Sequence, residues 1–261
     1  MTIHVPIRPN IYEKDFVLAT DLDGTFLGGT AADREELYNW IEDNRATVGL
    51  IFVTGRHPEF IHEHCDTYGI PIPEYVIADV GTTIAQVFSP GVILPNAEFE
   101  SPIAKAWQDK ADPVQKLMQD IDGLTLQDTP FRHRLSYNIS PEGFNVRDLE
   151  SVRALGVDVL VSDNRFVDVL PEGVSKGPTL RRLIDSLGIA PHRVLAAGDT
   201  LNDMSMLTAD DLFAVAVGGS EQALYDALPE SPRIHRARGE GAAGILEAIA
   251  AFNLHPTPGS Y

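Results

Sequence analysis

The strongest constraint on how this chain folds is a rhythm of short, uniformly apolar runs, each ending on glycine, threonine or aspartate and each followed by a stretch of helical period. "DFVLATD", "VGLIFVTG" and "YVIADVG" are three such runs, separated by "ADREELYNWIEDN" and by "PEFIHEHCDTYG", which Gly69 closes. Runs without polar alternation belong to strands buried on both faces, and strands spaced by helices belong to parallel sheets built from crossover units. The rhythm returns late in the chain with "FVDVLP", "RVLAAGD" and "LFAVAVG", interleaved with the helices "GPTLRRLIDSLG", "NDMSMLTAD" and "SEQALYDALP" and closed by "GAAGILEAIAAF". The predicted fold is a doubly wound α/β sheet, which places its ligand site at the carboxyl ends of the strands.

Between the two halves the pattern changes. "SPIAKAWQDKADPVQKLMQDI" has helical period, "LTLQD" and "HRLSYNIS" read as strands, "VRDLESVRALG" as a helix and "DVLVSD" as a strand. This mixture predicts an α+β insert over residues 90–166, with residues 1–89 and 167–261 forming the α/β core and "FVDVLP" rejoining the core sheet. The closing "HPTPGSY" reads as a loose tail.

Charge limits the partners. The 261 residues carry 38 acidic and 20 basic side chains, a net of −18, so the long-range field repels nucleic acid and anionic membranes. A small anionic substrate is compatible with that field, because salt screens it over roughly 8 Å and local cations dominate inside a cleft. No apolar run approaches the roughly 18 residues of a membrane span, and "MTIHVPIRPNIYEKDF" lacks the pattern of a secretion signal. A single cysteine, Cys65, forms no internal disulfide and fits a reducing compartment. The expectation is a cytoplasmic protein without nucleic-acid or membrane partners; its oligomeric state is left open, and a monomer suffices.

Four segments carry chemistry. In "ATDLDGTFLGG", Asp21 and Asp23 stand at a strand end and point the same way, and crowded carboxylates need a shared proton or a cation between them. An Asp-Gly turn closing a strand would use the same residues. "LIFVTGR" sets Thr54 and Gly55 at the end of the next strand, where a hydroxyl and backbone N–H groups can hold phosphate oxygens or start a helix. In "EGVSKGPTL", Lys176 opens a helix against the macrodipole, which calls for a reason such as a bound phosphate, while a solvent-facing lysine before a Gly-Pro helix start would use the same residues. "GDTLND" puts Asp199, Asn202 and Asp203 after another strand, an oxygen-rich set that suits Mg²⁺ and also suits a helix cap.

These four segments in this order resemble the motifs of the haloacid dehalogenase superfamily of phosphohydrolases, and the insert resembles that superfamily's C2-type cap. "YVIADVGTTI", "RLSYNISPEGF", "VDVLPEGVSKG" and "GILEAIAAF" are similar to its sucrose-phosphatase-like branch. The resemblance implies a phosphatase for a sugar phosphate acting through an aspartyl-phosphate, a disaccharide phosphate such as sucrose 6-phosphate first, with mannosylfructose phosphate, glucosylglycerol or glucosylglycerate phosphate, a broad-specificity sugar phosphatase or a phosphotransferase on the same fold as alternatives. It implies Asp21 as nucleophile, Asp23 as general acid and base, and Mg²⁺ held by Asp21, Asp23, Asp199 and Asp203. Thr54, Gly55, Lys176 and Asn202 would grip the phosphate, and the cap would supply sugar contacts from Arg134, Tyr137, Asn164 and Arg165. Arg134 stands where the branch tends to show lysine, and Phe166 where it shows an acid.

Overall fold

A computed structural model describes residues 10–88, 92–140, 142–162 and 164–258. The expected boundary at residues 89–90, the opening nine residues and the last three lie outside the described residues.

Eight strands form one sheet in the order β12-β11-β10-β1-β2-β3-β4-β5. Six run parallel: β1 (Phe16–Thr20), β2 (Val48–Val53), β3 (Tyr75–Ala78), β10 (Val194–Gly198), β11 (Phe213–Gly218) and β12 (Ile234–Glu240). Every residue of β1, β2 and β10 is buried, as unalternated apolar runs require. Phe16 and Leu18 pack on one side against Leu37 and Ile41 of α1 (Ala31–Asp43) and Ile245 and Ile249 of α9 (Ala242–Ala251). Val17 and Ala19 face the other side, against Leu180, Leu183 and Ile184 of α6 (Lys176–Ser186) and Met206 of α7 (Met204–Leu207). The chain winds one way from β1 through β3 and the other way from β10 through β12. The strand order therefore reverses beside β1, the position where open α/β sheets bind ligands.

The second sheet has four antiparallel strands in the order β6-β7-β9-β8: β6 (Leu124–Leu126), β7 (Leu135–Ile139), β8 (Val157–Ser162) and β9 (Phe166–Pro171). Its apolar face, with Leu135, Tyr137, Val159, Val167 and Val169, packs on Val114 and Met118 of α4 (Ala111–Met118) and Val152 of α5 (Glu150–Arg153). The alternate residues Ser136 and Asp168 face each other across β7 and β9 on the opposite, polar face.

Several sequence expectations are corrected. "FVDVLP" is β9 of the smaller sheet and does not rejoin the core sheet, because Phe166–Pro171 pairs with β7 and β8. The larger sheet also gains an antiparallel hairpin, β4 (Thr83–Phe88) and β5 (Val92–Pro95), and the polar edge strand β12, none of which the apolar rhythm marks. The long helix expected over 101–121 is two helices, α3 (Ala97–Trp107) and α4, broken where Asp109 takes φ 60°. The described part of the tail is docked: Pro256 accepts a 2.8 Å bond from the Trp40 indole, and His255 meets the Thr47 hydroxyl at 2.9 Å. Among the described residues, no helix is long and apolar enough to cross a membrane.

Candidate active site

At the carboxyl end of β1 the chain leaves the sheet through a tight turn. Phe26 N–H bonds to the Asp21 carbonyl at 3.2 Å and Leu27 N–H to the Leu22 carbonyl at 2.8 Å, with Gly24 at φ 79°. That glycine keeps the Asp199 carboxylate in place, since a Cβ there would lie 2.1 Å from Asp199 Oδ2 and would displace it. The turn buries Leu22 in the core and brings Asp21 and Asp23 to one cavity of about 740 Å³ between the two sheets.

Asp21 is the buried member of the pair. Its Oδ1 accepts a 2.7 Å bond from Lys176 Nζ, which donates another of 2.7 Å to Asp203 Oδ1. Lys176 is the first residue of α6, and its ammonium is taken up by these two carboxylates rather than held out toward the cavity as a phosphate grip would require. Asp203 in turn accepts the N–H groups of Asp199 and Thr200 on Oδ2, both at 3.0 Å, which folds "GDTLND" into a compact turn. Thr25, from the first motif, donates a 2.8 Å bond to Asp199 Oδ1.

Charge is unbalanced here. Three carboxylates, Asp21, Asp199 and Asp203, present oxygens within 4.8 Å of one another around the single ammonium of Lys176, an excess of two negative charges. Burial pushes the Asp21 carboxyl well up, Lys176 pulls it back, and Asp203 and Asp199 push it up again. Burial, then Asp203, raises Asp199 to about 7. Burial alone would lower the Lys176 ammonium, but Asp203 and Asp21 outweigh it and hold the group above the usual lysine range. Such a cluster holds either protons or a divalent cation. Its donors are all oxygen, as hard cations prefer, and the adjacent Asn202 Oδ1 is buried without a partner among the described residues. The residues fit a divalent metal.

Asp23 turns to the cavity's open side, where Arg56 grips both its oxygens, Nε to Oδ2 at 2.8 Å and Nη2 to Oδ1 at 3.0 Å. Thr54 is fully buried, and its hydroxyl oxygen accepts Arg56 N–H at 3.1 Å, while Gly55 lines the cavity. Lys176, Asp203 and Thr54 form the layer beneath the cavity floor; Asp21, Asp23, Asp199 and Asn202 reach it.

The smaller sheet roofs the cavity with Gln127, Ser162, Arg165, Phe166 and Asp168. Arg134 lines it too, but its guanidinium is committed to protein. Nη1 bonds Ser136 Oγ at 2.6 Å and Asp168 at 3.0 Å, and Nη2 reaches across to the larger sheet, to the Gly55 carbonyl at 3.2 Å and Asp79 at 3.1 Å. Tyr137 is corrected: it faces away from the cavity, in the apolar layer under α4 and α5, and burial raises its hydroxyl to about 12. Asn164 sits in the β8–β9 turn at φ 47° and is not on the cavity wall. The side chains of His62 and His64 in α2 (Pro58–Tyr68) lie outside the described residues. Residue-type reasoning missed Arg56, Asp79, Asp168 and Thr25, although Arg56 and Thr25 stand inside the motifs quoted for other residues.

A family model described as sucrose-6F-phosphate phosphohydrolase matches residues 14–253. The chain is 38% identical over 239 residues to a glucosylglycerol-phosphate synthase of Pseudomonas anguilliseptica, covering 91% of this chain and 31% of that protein. It is 29% identical over 259 residues to sucrose-phosphatase 1 of Nicotiana tabacum, covering 92% of this chain and 60% of the other. The chain therefore spans less than two thirds of either relative. The sucrose-phosphatase of Synechocystis sp. PCC6803, solved in complex with sucrose and phosphate, superposes with a TM-score of 0.83 at 26% identity, covering 92% of this chain and 98% of that one.

Proposed function

The chain belongs to the sucrose-6F-phosphate phosphohydrolase family, within the haloacid dehalogenase superfamily, and from that membership and the geometry of the cavity we propose that it hydrolyses the phosphate ester of a glycoside. The observation that carries this reading is Asp21, a buried carboxylate held by Lys176 on the cavity floor, with a second carboxylate, Asp23, two residues on at the same wall. The eight-stranded unit is the catalytic core in this reading, and the four-stranded unit is the cap that chooses the substrate.

Asp21 attacks phosphorus with its free oxygen. The bond from phosphorus to the sugar oxygen breaks, and Asp23 delivers a proton to that leaving oxygen. Asp23 then takes a proton from the water that attacks the aspartyl-phosphate, releasing inorganic phosphate and restoring Asp21. Lys176 keeps Asp21 oriented through both displacements, and the Gly55 backbone and Asn202 amide hold phosphate oxygens above the Thr54 layer. Asp21, the Asp23 carbonyl and Asp199, with Asp203 behind them, would hold Mg²⁺, which when bound would supply positive charge against that building on the transferring phosphoryl group.

A disaccharide phosphate is the leading substrate. The cavity of about 740 Å³ has room for one, and the polar roof of Gln127, Ser162 and Asp168 suits hydroxyl groups. Glucosylglycerol phosphate is the second reading, favoured by the 38% identity to the synthase. The test is phosphate release with Mg²⁺ from sucrose 6-phosphate, mannosylfructose phosphate, glucosylglycerol phosphate and simple hexose phosphates, with Asp21→Asn as control. One glycoside phosphate far above the rest is the expected result. Turnover that survives in Asp21→Asn would sink the nucleophile, and uniformly feeble release would sink the substrate class.

A further inference from the structure

Arg56 and Asp23 form a bidentate pair in which the arginine side chain is 47% and the aspartate 53% exposed. A pair that exposed contributes little to stability, so stability does not explain how heavily the arginine is braced. Its guanidinium lies 4.3 Å over the Phe60 ring. Its N–H bonds Thr54 Oγ1 at 3.1 Å, and its carbonyl accepts Asp79 N–H at 2.9 Å. The neighbouring Val80 N–H holds the Thr54 carbonyl at 3.1 Å, and Arg134 holds the Gly55 carbonyl at 3.2 Å.

The bracing segment is itself strained. Asp79 and Val80 are consecutive non-glycine residues at φ 55° and 58°, a conformation unfavourable for any L residue and most of all for a β-branched one. Strain of this kind persists only where the surroundings over-determine it, as at functional sites. Here the strained turn directs two N–H groups at the Thr54–Arg56 segment, and that segment aims the guanidinium fork at Asp23. The fork takes one acceptor position on each carboxylate oxygen and leaves the others for the leaving-group oxygen and for water.

We propose that Arg56 is the positioning residue of Asp23, fixing its carboxyl so that the proton is delivered to the poor, alkyl leaving group of a sugar phosphate. This rests on the assignment of Asp23 as general acid. An aryl phosphate with a good leaving group departs without that proton, so the two ester classes separate a positioning role from a phosphate-binding one.

The experiment measures kcat/KM, which reports steps through aspartyl-phosphate formation, with Mg²⁺ for the full chain, Arg56→Gln, Arg56→Lys and Asp23→Ala. The two substrates are the sugar phosphate hydrolysed best in the panel above and dinitrophenyl phosphate. In Asp23→Ala the ratio of sugar-phosphate to dinitrophenyl-phosphate kcat/KM drops steeply. Arg56→Gln lowers the same ratio about tenfold or more, part of the roughly 10²–10⁴-fold that a general acid supplies. Arg56→Lys falls between, because one ammonium cannot hold two oxygens. A drop in Asp23→Ala with an unchanged ratio in Arg56→Gln, whether both substrates fall together or neither does, overturns the positioning role alone. An unchanged ratio in Asp23→Ala removes the general acid and both readings with it.

Discussion

Replacing Arg134 by methionine separates a substrate contact from a tie between the two sheets. The side chain is 6% exposed, and its carboxylate partners are 8% exposed at Asp79 and 7% at Asp168. Methionine keeps much of the volume and removes all four hydrogen bonds, stranding two buried carboxylates. Removing one partner of a buried pair costs about 3–5 kcal/mol. Two stranded acids do not double that figure here, because Asp168 keeps its 2.5 Å bond from Ser136 Oγ and Asp79 its 2.7 Å bond from Thr83 Oγ1. At roughly 2–4 °C per kcal/mol for a chain near this size, the melting temperature falls by about 6–20 °C. Urea unfolding followed by tryptophan fluorescence measures the loss, and adding Asp79→Asn and Asp168→Asn to Arg134→Met recovers part of it by removing the stranded charges. Arg134→Lys loses less, keeping the charge but not the fork that spans both sheets. A methionine variant that unfolds like the parent while its KM for the sugar phosphate climbs would refute the reasoning and restore Arg134 as a substrate contact.

Tyr137→Phe removes a buried hydroxyl that has no partner among the described residues, so stability holds or rises slightly and KM is unchanged; a raised KM in the phosphatase assay would put the ring back at the sugar. Gly24→Ala forces its new methyl against Asp199, and the Mg²⁺ concentration for half-maximal activity rises about tenfold, a cost near 1.4 kcal/mol, with the fold retained by circular dichroism. In chelated protein, Asp199 titrates at about 7 when folded and near the ordinary carboxylate value of 3.8 when unfolded. The folded state thus binds the extra proton between those values, and its stability falls as pH rises through that window. Mg²⁺ therefore raises the melting temperature more at about pH 8 than at about pH 5.5, and Asp199→Asn flattens both dependences.

What the sequence reveals and what it hides divide by how far apart the interacting residues stand. The strands β1, β2 and β10 are legible because burial on both faces leaves no room for polar residues, and three of the four motifs are legible because each follows such a strand; the fourth, at Lys176, follows β9 of the smaller sheet. The strand β12 is hidden by its polar residues: "IHRARGE" is an edge, and Glu247 of α9 satisfies the N–H groups of Arg238 and Gly239 there. Nothing local tells which sheet "FVDVLP" joins, since either would bury its valines. The orientation of Tyr137, by contrast, is written in the sequence. "LSYNI" alternates apolar and polar, and that parity groups Tyr137 with Leu135 and Ile139, leaving Ser136 and Asn138 on the other face. Choosing a tyrosine for its chemistry ahead of its parity selects the wrong face, and the same parity in "FVDVLP" marks Asp168, which lies directly opposite Ser136.

The two aspartates of "DLDGT" have no basic neighbour in the sequence, and the fold brings each one from elsewhere: Lys176 to Asp21 across 155 positions and Arg56 to Asp23 across 33. These cations differ in kind. Lys176 is buried and shared with Asp203, so it orients Asp21 without neutralising the cluster, whereas the half-exposed Arg56 aims a carboxylate that remains open to the cavity. The uncompensated charge therefore stays beside Asp199, where Gly24 keeps space clear and the Asn202 carbonyl has no donor among the described residues. A phosphate monoester entering that space meets an excess of two negative charges in a chain whose net charge is already −18, and close like charges repel strongly where water is scarce. Lys176 cannot supply the missing charge, being engaged on both sides. The arginines of the roof stand across the cavity from the deficit. Protons or an oxygen-seeking divalent cation balance that count, and the all-oxygen donor set suits the cation, which supports the Mg²⁺ of the proposed mechanism.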